Sequence, residues 1–164
     1  MLSPVVLFLF SVPALAVSQA QTASKTALGV TASQGVNALN QKEAEACRKM
    51  DQSASAALWA DDGVDLIQGL QPMVGKAAIS QWLDGLTAQT RGAKMDYCTI
   101  DWKQVKIQGD WVYEWGITRQ KIEFPPPQKS FENEGKMLLI LKRQQNGSWK
   151  IELESWNSSP GARK

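Results

Sequence analysis

Glu114 and Lys136 are the residues of this chain whose types and settings best suit chemistry. Each interrupts an apolar run, WVYEWG and GKMLLIL. A carboxyl group held among apolar neighbours has a raised pKa and works as a general acid or base, while a nearby ammonium orients substrate and offsets negative charge. Tyr97 adds a phenol able to donate to an oxyanion. Plainer roles exist for all three: a salt bridge or solvated edge groups for Glu114 and Lys136, a packed strand residue with a bonded hydroxyl for Tyr97. Of the seven tryptophans, Trp59, Trp82, Trp102 and Trp156 are candidates for lining a ligand-binding pocket, since indoles suit a flat apolar guest. The chain has no histidine. That removes Ser-His-Asp and Cys-His catalysis, imidazole zinc sites and an imidazole pH switch. Asp61-Asp62, followed by glycine, reads as a turn rather than a metal pair, because further oxygen ligands are missing. No phosphate loop, nucleotide fingerprint or repeat is present, so neither metal nor cofactor is expected.

The residues that position these groups number 164, with 18 Lys+Arg, 16 Asp+Glu and a formal charge of +2. Interleaved signs argue against nucleic acid as a partner, and no apolar run is long enough to span a bilayer. The first sixteen residues, MLSPVVLFLFSVPALA, carry no charged side chain and end in Ala14-Leu15-Ala16, the small-residue pattern of a signal-peptide cleavage site. Ser18-Gln19-Ala20 offers a second site. The expectation is export to the periplasm or outside the cell, with no membrane attachment after cleavage. In that oxidising setting Cys47 and Cys98 either pair or remain two small buried hydrophobes. Residues 1–16 are thus read as signal peptide, 17–32 as a flexible leader, 33–158 as the domain and 159–164 as a tail. A domain of this size buries roughly two-thirds of its unfolded surface and needs no disulfide framework.

Within the domain, Leu39, Ala46 and Met50 mark one face of a helix over 34–50, and Asp51 can cap a short helix over 52–59. Asp61-Asp62-Gly63 is expected to stop it. Val64–Ile67 and Met73-Val74 form a small hairpin, and Ile79, Trp82, Leu83 and Leu86 mark a third helix over 76–86. From Lys94 the period becomes alternating: 94–108, 111–123, 134–144 and 148–157 read as an antiparallel meander. Apolar parity changes between Trp102 and Val105, which predicts a β-bulge there. Parity also selects a three-residue last turn with Gly147 left-handed, grouping Trp149, Ile151 and Leu153 with Met137, Leu139 and Leu141. That register places Lys136 on the other face with Glu152, Glu154 and Trp156. Trp111, Tyr113 and Trp115 lie opposite Glu114 in parity, on a face that a homodimer would bury.

ALWADDGVDLIQGLQPMVGKAAISQWL, GDWVYEWG, GKMLLILKRQQNGSWKI and ESWNS together resemble the nuclear transport factor 2-like superfamily, which includes SnoaL-like and ketosteroid-isomerase-like proteins. The resemblance covers residues 35–158. It implies an α+β cone, cystatin-like, with a curved antiparallel sheet wrapped around three N-terminal helices and an apolar pocket at the open end. Carried over without gaps, the isomerase base falls on Ile67, with Asp65 taking that role only if the hairpin register shifts; the phenol falls near Glu43 and the second acid near Lys136. The isomerase constellation is therefore absent from this alignment. Three functions stay open: an exported domain binding a small apolar organic molecule, an isomerase-like, dehydratase or hydrolase enzyme using Glu114, and a protein-interaction or dimerisation module.

Overall fold

The computed structural model describes the backbone of residues 15–159 and side chains from Ala32 onward. The export signal lies almost wholly outside the described residues, and so does the tail beyond Ser159. Two compact units are distinguished, Met1–Ala32 and Ser33–Lys164. Residues 17–32, expected as a leader without regular structure, are instead helical, belonging to α1 (Leu15–Lys49). Ala-rich sequence without Pro or a run of β-branched residues has adequate helix propensity even where no apolar stripe repeats. No helix among the described residues is long and apolar enough to cross a membrane.

In the second unit, α1 leads through Met50 into α2 (Gln52–Ala56), whose N-terminus is capped by Asp51 Oδ1 accepting from the Ala54 amide at 2.9 Å. The chain then enters β1 (Trp59–Ile67) rather than continuing the helix to Trp59. Asp61-Asp62-Gly63, read as a stop signal, lies within this strand at an irregularity in pairing between Trp59 and Val64. β2 (Met73–Val74) returns against Val64 and Asp65, as the hairpin predicts, and α3 (Lys76–Gln89) follows.

The remaining strands are β3 (Lys94–Gln108), β4 (Trp111–Glu123), β5 (Phe131–Arg143) and β6 (Trp149–Ser158). Their order in the sheet is β2-β1-β6-β5-β4-β3, with β1 parallel to β6 and every other pair antiparallel. The expected meander is present, but the sheet as a whole is mixed because β1 lies beside the last strand.

Register decides which side chains face inward. β3 slips against β4 between Trp102 and Gln104, where parity required a bulge, and again between Met95 and Tyr97. Gln144 and Ser148 close a three-residue loop (Gln144 N to Ser148 O, 2.7 Å) with Gly147 at φ +83°, as expected for the last turn. Trp149 and Ile151 accordingly join Leu139 and Leu141 in the core. Leu153 does not. Leu141 pairs with Ile151 but Ile140 pairs with Leu153, so Glu152 is an extra residue in β6. One extra residue inverts every later side chain. Glu154, opposite Leu139, and Trp156, opposite Met137, therefore face inward, against the sequence expectation.

Candidate functional site

The inner sheet face, α1 and α3 enclose a hollow of about 450 Å³. From α1 and the Met50 that follows it, the hollow receives Glu43, Ala46, Cys47 and Met50, and from α3 it receives Ile79, Trp82, Leu83 and Leu86. Both sets follow the i, i+3, i+4, i+7 spacing of a single helical stripe. The α1 stripe continues back through Asn40, Leu39 and Val36, all buried. Trp59, Asp65 and Ile67 enter from β1, Glu154 and Trp156 from β6, Asn133 and Met137 from β5. Cys47 and Cys98 form a disulfide across one wall, Cα to Cα 6.0 Å, joining α1 to β3.

Trp156 lies flat over a glycine. A Cβ at Gly135 would fall 2.5 Å from Trp156 Nε1, inside van der Waals contact, and that nitrogen donates to Thr118 Oγ1 at 3.0 Å. Gly135→Ala is expected to push the indole off the sheet, breaking this bond and costing about 2 kcal/mol, the usual scale of overpacking. Urea unfolding together with the tryptophan emission maximum checks it; an unchanged midpoint and spectrum would show that the ring has room to move.

Four carboxyl groups converge on the interior without a cationic partner. Asp65 is 3% exposed, and its Oδ1 has no hydrogen-bond partner. Burial pushes its pKa up to about 6, opposed by a hydrogen bond from the Leu66 amide. Glu43, with Oε2 unpartnered, is pushed up to about 8 by burial and then by the charge of Glu114. Glu154 is raised well above the ordinary carboxylate value by burial, then by Glu43 and Asp65. These three line the hollow.

Glu114 is fully buried and lies behind the lining rather than in it. Its Oε2 accepts from Asn40 Nδ2 at 2.9 Å, while Glu114 Oε1 and Asn40 Oδ1 have no partner. Burial pushes its pKa up to about 7, against the pull of the Asn40 bond. A proton on Glu114 would supply the donor that both leftover oxygens lack, so acid and amide complete each other only when the acid is neutral.

The other sequence candidates fall in different places. Trp59, Trp82 and Trp156 line the hollow; Trp102 faces inward opposite Gly116 but does not line it. Lys136 pairs in register with Ile117 and Asn157 on the outer face, exposed, so it cannot work beside Glu114. β5 alternates strictly from Gly135 to Leu141, and an even position there faces out. Tyr97 also points outward, donating to Glu132 Oε1 at 2.8 Å in an exposed pair. Of the three acidic groups in the lining, the sequence offers Asp65 as a base only for a shifted hairpin register, places Glu43 only at the phenol position of the resemblance, and puts Glu154 on the other face. A signal existed for Glu43 and Asn40, two polar residues inside the helical stripe of Val36, Leu39, Ala46 and Met50. None existed for Glu154, whose orientation depends on the Glu152 bulge.

The helix, hairpin, helix and bent-sheet order is shared with many solved structures. A ketosteroid isomerase-like protein from Erwinia carotovora atroseptica is 21% identical and superposes with a TM-score of 0.65, covering 76% of this chain and 94% of that one. The chain has a nuclear transport factor 2-like fold. A protein of that kind with a cystatin-like fold from Novosphingobium aromaticivorans (19% identical, TM-score 0.66, 85% and 89% covered) and one of unknown function from Pseudomonas putida KT2440 (20%, 0.60, 79% and 89%) share it. No protein-family model and no curated protein matches the sequence. Identities this low establish the nuclear transport factor 2-like fold alone, and the fold hosts unrelated activities.

Proposed function

We propose that this chain is an exported small-molecule-binding domain whose cone holds a small organic guest with a large apolar surface. The hollow itself carries the reading: about 450 Å³ walled by Trp59, Trp82 and Trp156, within the size range of ligand pockets and with a few convergent polar groups. Export is supported by the apolar N-terminal run and by the disulfide, a bond that persists in oxidising compartments. A homodimer fits the outer sheet face, where Trp111, Tyr113, Trp115 and Leu138 are each more than a third exposed. Titrating the protein with a panel of apolar carbonyl compounds while following tryptophan fluorescence tests the reading. Saturable quenching by at least one compound is expected, reduced in Trp82→Ala; a flat response across the panel favours an interaction module instead.

A second reading, proton transfer, is favoured by two carboxyl groups with different surroundings on one cavity. Asp65, raised by burial, becomes a stronger base while the Leu66 amide still favours its ionised form, and Glu43, raised by burial and further by the charge of Glu114, is the better placed of the two to hold a proton. The base is then Asp65 on β1, not Glu114, which the cavity does not reach. Exchange of the α-protons of a bound ketone in D2O, followed by NMR, should slow by about a hundredfold or more in Asp65→Asn, the scale of a lost general base. Equal rates would leave binding without chemistry.

A further inference from the structure

We propose that the natural guest is an organic cation, an amine with an apolar or aromatic body, whose ammonium is received by Asp65 in the negative field of Glu43 and Glu154 and whose body lies among the indoles. The inference rests on the binding reading above and names the class of ligand.

The hollow is lopsided in charge and in hydrogen-bonding capacity. Among the described residues, three carboxyl groups line it and no Lys or Arg does. Three buried oxygens around it lack a partner: Asp65 Oδ1, Glu43 Oε2 and Asn133 Oδ1. Leaving a buried acceptor unpaired carries a desolvation cost, so a guest that brings donors gains what the empty pocket forgoes. An ammonium has three donors and no acceptor. A carboxylate guest would bring only more acceptors and a repelling charge. A neutral alcohol satisfies at most one of the oxygens, and a ketone none.

The apolar part of the lining points the same way. Trp59, Trp82 and Trp156 present indole surface, and Phe124 and Phe131 also line the hollow. Aromatic faces attract cations, most of all where water is excluded. A bare metal ion fits less well: among the described residues no three of Asp, Glu, Cys or His converge closely enough to hold one. Carboxyl groups distributed over α1, β1 and β6 suit a cation that bonds one of them directly and is held by the charge of the others.

Binding should also expel protons. The titratable groups around the site are Glu43 from α1, Asp65 from β1 and Glu154 from β6, with Glu114 of β4 behind Glu43; α3, β3 and β5 bring no charged side chain to the hollow. With no cation present, their mutual repulsion and burial keep part of the set protonated. An arriving ammonium reverses that preference, so affinity rises with pH while the amine itself stays charged.

The test is a near-isosteric series, 4-phenylbutylamine, 4-phenylbutan-1-ol and 4-phenylbutyrate, titrated into the full chain and followed by tryptophan fluorescence and by calorimetry in two buffers of different ionisation enthalpy. The amine is expected to bind about tenfold or more tightly than the alcohol, to release protons, and to tighten between pH 6 and pH 8. Asp65→Asn and Glu154→Gln should each remove most of that preference, lowering amine affinity far more than alcohol affinity, with near-UV circular dichroism confirming the fold. Equal binding of amine and alcohol, or preference for the carboxylate, overturns the cation but keeps the pocket. Silence from all three at millimolar concentration overturns both.

Discussion

Stability toward urea should fall as pH is raised from 5 to 8, and Glu114→Gln should abolish part of that fall. The folded chain holds Glu114 at about 7 against an ordinary value of 4.5, Glu43 at about 8 against 4.5, and Asp65 at about 6 against 3.8. In each case the folded pKa is the higher one. Below about pH 4 both states are protonated and the contribution is fully present. Between the two pKa values the unfolded chain has released its proton and the folded chain has not, so every further pH unit favours unfolding by up to about 1.4 kcal/mol per group. For Glu114 alone, which is fully buried, the window from 4.5 to about 7 amounts to about 3 kcal/mol. Glutamine keeps the shape and cannot ionise. Its amide can donate to Asn40 Oδ1 while its oxygen accepts from Asn40 Nδ2, matching the neutral acid. The variant should therefore equal the parent near pH 4.5 and exceed it at pH 8. Urea midpoints across this range decide the matter: a parent whose stability rises from pH 5 to 8 would mean that these carboxyl groups are ionised and paired in the native state.

The residues around the hollow show what can be read from sequence and what cannot. The bulge at Lys103 was legible because the apolar residues on either side of it, Trp102 and Val105, fall on opposite parity, and only an extra residue reconciles them. The last turn was legible for the same reason, helped by a glycine where a left-handed residue is needed. The bulge at Glu152 carries neither sign. Leu153 and Trp156 are both apolar, so either parity after Ile151 looks acceptable, and no glycine or proline marks the slip. Glu154 consequently reads as a solvated strand residue. Lys136 shows the converse: an apolar neighbourhood in sequence, GKMLLIL, turned out to be two faces of one strand, with the lysine on the exposed one. Flanking residues report burial in a helix stripe, where spacing defines the face, better than in a strand, where adjacent residues point in opposite directions. Asn40 and Glu43 sit in such a stripe and were within reach of the same logic that found Leu39 and Ala46.

Replacing both half-cystines, Cys47→Ala with Cys98→Ala, should lower stability by about 4 kcal/mol and weaken whatever the pocket binds. The bond closes a loop with a sequence separation of 51, and the loss of closure entropy in the unfolded chain for a loop of that length is of this size. For a domain of this length that corresponds to a drop of roughly 10 °C in Tm. A second effect is local. Cys47 is one helical turn beyond Glu43 on the stripe facing the hollow, and Cys98 is buried in the wall opposite. The cross-link thus fixes the distance between the segment of α1 that presents Glu43 and the sheet that carries its acidic neighbours. Without it, α1 is held by packing and by the Asn40–Glu114 hydrogen bond, and the carboxyl groups lose the fixed spacing that gives a guest its complementary surface. Comparing the double variant with the parent at a temperature where both are folded separates the two effects: ligand affinity should fall even though the fraction folded does not. Thiol titration of the unfolded parent should find no free sulfhydryl. Two free thiols per chain, or a double variant as stable as the parent, would show that the two sulfurs are merely neighbours and that packing alone sets the width of the cone.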